Sequence, residues 1–227
     1  DLTMRLKITA VAALALAACT PPTEVAPPAP PVAVAVDAPS GEYLLDKSHA
    51  SLVVRANHLG LSHYTLRLTG LDATLTFNAE DPAQSSVRAT IAADTVSTEF
   101  QGPRDFNDEL ENSEWLDAAA HPTITFNSTS VELTGPNTGR MTGDLTIRGA
   151  THPAVLDVTF NHAYRQHPFG RPGALIGFSA HGAIRRSDYG LNALLPSGEG
   201  AIGVSDEVEI VIEAEFTQTP APTNPVN

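Results

Sequence analysis

From Gly41 to Gln218 the side chains alternate between apolar and polar, the period of a strand with one buried face. Asp206 to Phe216 is the clearest stretch. Val208, Ile210, Ile212, Ala214 and Phe216 fall on one face, Glu209, Glu213 and Glu215 on the other, and Val211 alone breaks the pattern. Leu156, Val158 and Phe160 alternate with Asp157, Thr159 and Asn161 in the same way. Shorter runs repeat the habit: Leu52-Val54-Ala56, Leu71-Ala73-Leu75-Phe77, Val87-Ala89-Ile91, Ile124-Phe126, Leu145-Ile147 and Ile176-Phe178-Ala180. Turn formers separate them at Asp81-Pro82, Gly135-Pro136-Asn137, Arg148-Gly149-Ala150 and from Pro168 to Gly173. One stretch departs. Phe106 to Ala120 lacks β-branched residues and spaces Leu110, Trp115 and Leu116 as a short helix does. The pattern predicts about eight antiparallel strands and one short helix. A closed up-and-down barrel and a two-sheet sandwich satisfy it equally.

The flanks are of another kind. Arg5 and Lys7 precede an apolar run, Ile8 to Ala18, which ends in Leu16-Ala17-Ala18-Cys19. Cations, a short apolar run and small residues before a cleavage point make a secretory leader, and the sole cysteine of the chain gives it the look of a lipobox. The run is about 11 residues, against roughly 20 for a membrane-spanning helix. Residues 1–18 are therefore expected to be a lipoprotein signal peptide, with Cys19 lipidated as the new N-terminus. Residues 19–40 form a Pro/Ala-rich linker. Its prolines favour an extended spacer reaching up to ~60 Å at about 3.1 Å per residue. Residues 41–218 are the folded domain, and 219–227 a frayed tail. Thr20, rather than an aspartate, follows the cysteine, which favours the periplasmic side of the outer membrane.

The formal net charge of -13 argues against nucleic acid as a partner, because such a surface repels phosphate. With Cys19 assigned to lipid, no disulfide can form within the mature chain. Candidate chemistry is sparse. Eight histidines invite a metal, but no two have zinc-like spacing beside a second pair. There is no Gly-x-Ser-x-Gly elbow. The acidic run Asp105, Asp108, Glu109, Glu111 and Glu114 reads as a solvated helix face. No catalytic residue, metal or cofactor is expected.

The order of short motifs decides between the two architectures. Tyr43-Leu44-Leu45-Asp46 with Ser48-His49-Ala50-Ser51 comes first, then Asn57 to Ser62 (NHLGLS) and Leu71 to Phe77. His121 to Phe126, Gly143 to Gly149, Gly177-Phe178, Arg186 to Leu191 and Ser205 to Val208 follow. In this order they resemble the YceI family, the lipocalin-like polyisoprenoid-binding proteins of the bacterial envelope. Departures are Leu66 and Leu68, where the family favours a glycine and an aromatic residue, and a longer segment around Arg104-Asp105. The resemblance implies an eight-stranded antiparallel up-and-down lipocalin-like barrel. A hydrophobic cavity within it would take an isoprenoid lipid such as a quinone or polyprenyl chain. The expected wall is Leu52, Val54, Ala56, His58, Leu75, Ile91, Phe126, Leu145, Ile147, Phe160, Phe178 and Ile210. His58 shares its strand face with three apolar residues, so it reads either as a polar anchor for a ligand or as a satisfied core histidine. His49, Arg186 and Asp188 are candidates for the headgroup. Ala56, Ala73, Ala89 and Ala180 are small for inward positions and leave room. The expected partners are an isoprenoid lipid and, through the anchor, a membrane, with a homodimer left open. The alternative is a stress-related periplasmic interaction module with a filled barrel.

Overall fold

A computed structural model describes residues 31–198 and 200–218. The expected leader, Cys19 and the frayed tail lie outside the described residues. Among these residues, eleven strand segments form a single antiparallel sheet that closes on itself. They are β1 (Gly41–Leu45), β2 (Ser51–His58), β3 (Ser62–Leu68), β4 (Leu71–Phe77), β5 (Ser86–Ala92) and β6 (Val96–Thr98). After the helix α1 (Phe106–Glu111) come β7 (Thr123–Leu133), β8 (Thr138–Ile147), β9 (Ala150–Tyr164), β10 (Ala174–Arg185) and β11 (Val204–Gln218).

The eleven segments make eight staves, because the first three staves are each broken once. β1 pairs with β4 while β2 pairs with β3, so β1–β2 and β3–β4 are two bent neighbours. β5–β6 is the third, paired with β4 through β5 and with β3 through β6. The last stave closes the ring, β11 meeting β1 at its C-terminal end and β2 along its N-terminal half. This is the eight-stranded up-and-down barrel rather than the sandwich.

Each break has a local cause. At the first, Asp46 accepts the Ser48 backbone N–H at 2.9 Å, and its own N–H reaches the Glu215 carbonyl at 2.8 Å. A short 3-10 turn, Lys47–His49, follows. At the second, a Cβ on Gly70 would lie 2.8 Å from the Ala92 and Thr95 side chains. Only glycine lets these staves approach so closely. Thr95 ties the second and third breaks together, accepting from the Gly70 N–H at 2.9 Å and donating to the Ala92 carbonyl at 2.6 Å. The helix is shorter than its spacing predicts. It stops at Glu111 because Asn112 leaves the helical region, at ψ 178, and Trp115 and Leu116 follow in turns rather than on a second helical turn.

The packed core falls into two clusters. One, near the start of β1, contains Tyr43, Phe77, Ala163, Ile176 and Phe216. The other, under α1, contains Leu110, Ile124, Ile147, Tyr189 and Leu191. Gly143 shows how tightly the wall itself is built. A Cβ there would meet the Phe126 ring at 2.4 Å and the Asn127 carbonyl at 2.7 Å. Gly143→Ala is expected to cost about 1–3 kcal/mol through this overpacking, read as a lower thermal midpoint. A midpoint unchanged within error would show that the ring moves freely.

Candidate functional site

Inward positions of all eight staves surround a cavity of about 370 Å³, within the usual size range of ligand pockets. Its wall is aliphatic and aromatic almost throughout. The lining runs from Val34 and Pro136 at one end to Trp115, Leu191 and Arg186 at the other. Several inward apolar residues, among them Val54, Ala56, Leu66, Ala89 and Ile210, keep part of their surface accessible. In a filled core they would be sealed. The hollow originates partly in small residues placed side by side, since Ala73 faces Ala89 directly across β4 and β5.

The structure brings Leu52, Val54, Ala56, Leu75, Ile91, Phe126, Leu145, Ile147, Phe160, Phe178 and Ile210 together on the cavity wall. His58 is not on it. It ends β2, beyond the last wall residue Ala56, with its ring 6.4 Å from that of Tyr64. The parity of its position holds, but the strand outruns the cavity.

The three headgroup candidates separate. His49 is on the outer surface at the first stave break, its Nδ1 2.9 Å from Asp46 Oδ2. Asp188 is exposed and absent from the lining. Arg186 alone reaches the cavity, and it is only 4% exposed. Its Nε donates to the Ser205 carbonyl at 2.8 Å, and Nη2 to that of Val204 at 2.9 Å. Nη1 donates to the carbonyls of Leu191 at 2.6 Å and Ala193 at 2.7 Å. The guanidinium also lies over the Trp115 ring, 5.7 Å from its centre. Burial lowers its pKa from the ordinary value, with Asp206 opposing that shift. Asp206 itself is engaged by Arg185 at 3.1 Å and by the Ser187 N–H and hydroxyl at 2.8 Å. Arg186 is thus a buried cation held by backbone carbonyls, and among the described residues it is the one charge in the cavity wall.

Sequence reasoning missed part of this wall. Trp115, Leu116 and Leu110 close the end under the helix, and their spacing marks only a helix face. At the other end Ala33, Val34 and Val36, assigned by composition to the spacer, also line the cavity.

The hydrogen bond between His49 and Asp46 raises the pKa of the first and lowers that of the second. The contribution of His49 is complete below about pH 6.5 and is lost as pH rises through its raised value. That of Asp46 is complete above about pH 3.9 and is lost on acidification through its lowered value. The pair therefore stabilises most between these limits. His49→Gln is expected to flatten the pH dependence of the thermal midpoint between pH 5 and 8. The change is small because the ring is solvent-exposed. An unchanged profile would remove the pair as its origin.

The YceI-like domain family matches residues 43–216 of the chain. "Protein YceI" of Salmonella arizonae is 33% identical over 181 residues, covering 79% of this chain and 88% of the relative. The crystal structure of the Campylobacter jejuni YCEI protein superposes with a TM-score of 0.60 at 26% identity, over 72% of this chain and 90% of that one. Burkholderia cenocepacia BcnA shares the fold, with a TM-score of 0.61 at 23% identity over 75% of this chain and 98% of that one. So does a polyisoprenoid binding domain from Saccharophagus degradans, with a TM-score of 0.55 at 14% identity, covering 78% and 98% of the two chains.

Proposed function

Because the chain belongs to the YceI-like domain family, we propose that its barrel sequesters or carries an isoprenoid lipid, a quinone or a polyprenyl chain, and that it is a binding protein rather than an enzyme. The observation that carries this reading is the 370 Å³ apolar hollow walled by every stave. Burying an apolar chain there is favourable at roughly 25 cal/mol per Å², less the cost of ordering the chain. A polyisoprenoid binding domain with the same fold supports the ligand class. The wall residues predicted from strand parity, His58 excepted, are the contacts of the chain. Among the described residues, Arg186 is the one charged group in reach of its head. Its donors are largely committed to backbone carbonyls, which favours a neutral acceptor such as a carbonyl or hydroxyl over a pyrophosphate. The filled-barrel interaction module is at odds with the hollow.

The same proposal keeps the protein on the periplasmic side of the outer membrane, tethered through a lipidated Cys19. The order of cations, apolar run and small residues before Cys19 supports it. Native mass spectrometry of the gently purified protein tests the ligand. A co-purifying lipid of prenyl composition is expected, and an apo mass in repeated preparations, with no uptake of added geranylgeraniol, would refute the reading.

A further inference from the structure

The folded part of the chain begins before the first strand and before the stretch that matches the family. Residues 32–40 leave β1 and cross one end of the barrel. Gly41 opens β1, and Val34 donates its N–H to the carbonyl of Pro136, in the turn between β7 and β8, at 2.7 Å. In the closed ring that turn stands three to four staves from β1 through β4 and β5, and four to five through β11, so the two points face each other across the mouth. An eight-stranded barrel is about 16 Å across, from the strand spacing and tilt. Seven extended residues span up to about 25 Å, enough to bridge it. The segment is a strap across the diameter.

Its two halves are held differently. The inner half is fixed. Ala38 is completely buried, the Tyr43 hydroxyl donates to the Pro39 carbonyl at 2.7 Å, and the Ala79 N–H reaches Ser40 Oγ at 2.8 Å. Among the described residues, the outer half has the Val34 hydrogen bond and one ion pair, Asp37 to Arg165 at 3.0 Å with both side chains largely in solvent. An exposed pair of this kind holds weakly. Yet Ala33, Val34 and Val36 in this loosely held half form part of the cavity wall.

We propose that residues 32–37 are a displaceable lid, closing one mouth of the cavity when a ligand is inside and swinging aside on the Ala38–Pro39 anchor to exchange it. The lid rests on the reading of the cavity as a binding site. The segment lies before the matched stretch, which begins at residue 43.

The test uses the chain from residue 19 onward with Cys19→Ser, and N-phenyl-1-naphthylamine as a small apolar fluorescent probe. Val34→Pro removes the N–H and Asp37→Ala the ion pair, both in the strap and neither on a barrel strand. The double variant is expected to keep the parent's melting temperature and to release the probe at least tenfold faster in stopped-flow displacement. Equal release rates would overturn the lid, and so would failure of both proteins to take up the probe. Geranylgeraniol is added as a competitor in the same experiment. If it fails to displace a bound probe, the isoprenoid reading falls while the result on the lid stands.

Discussion

Arg186→Met is expected to lower the unfolding free energy by about 3–5 kcal/mol, the usual cost of stripping the partner from a buried charged network. Methionine fills most of the space but donates nothing to the carbonyls of Leu191, Ala193, Val204 and Ser205. Each of these oxygens has exchanged water for the guanidinium on folding, and desolvated acceptors are expensive to leave unmet. Together they hold the long connection between β10 and β11 against the end of the barrel. A domain of this size has about 5–15 kcal/mol in total, so the loss is a large part of the whole. Arg186→Lys is expected to fall between the two, because an ammonium keeps the charge but cannot reproduce the planar fork. Urea denaturation of the three proteins decides the matter. A loss below about 1 kcal/mol for the methionine variant would show that the connection is held by other contacts.

Filling the hollow should have the opposite profile, with little effect on stability and a large one on binding. Ala89 faces the cavity between Ala73 on β4 and Phe126 on β7. Ala89→Phe places a ring in empty space rather than in a packed core, so the usual overpacking cost is relieved. The unfolding free energy is expected to stay within about 1 kcal/mol of the parent. Affinity for a prenyl alcohol is expected to fall at least about a hundredfold, or roughly 2.7 kcal/mol, because ring and ligand compete for one volume. Isothermal titration with geranylgeraniol reads the outcome. Unchanged affinity would mean that the lipid binds elsewhere. Substantial destabilisation would mean that the hollow collapses around Ala89 and is not a preformed site.

The inward faces were legible because parity along a strand is a local property. Val208, Ile210, Ile212, Ala214 and Phe216 show it in a linear reading, and the structure keeps all five on the cavity lining. His58 shows the limit of that logic. Parity says which face a residue is on, not how far along the strand the cavity extends. Arg186 was recognisable as chemistry but not as a role. Its partners are carbonyls on a connection closed by the whole barrel, and a backbone acceptor leaves no mark in the side-chain sequence. The helix prediction overran for a related reason, since Trp115 and Leu116 are apolar to fill the barrel end and not to extend a helical face.

Residues 32–38 mark the boundary most clearly. By composition, Val32-Ala33-Val34-Ala35-Val36-Asp37-Ala38 belongs to a proline- and alanine-rich spacer, since nothing local says that it has a surface to rest on. The sequence alone determined the strands, their faces, the turns between them and, through the order of short motifs, the family. Closure of the ring decided the rest. Only when β11 meets β1 do eight apolar faces enclose a volume and create a mouth for the strap and an end wall for Arg186. Ring closure and the strap depend on contacts between residues more than a hundred positions apart, Leu44 with Thr217 and Val34 with Pro136, and Arg186 on backbone carbonyls; no local side-chain pattern encodes either.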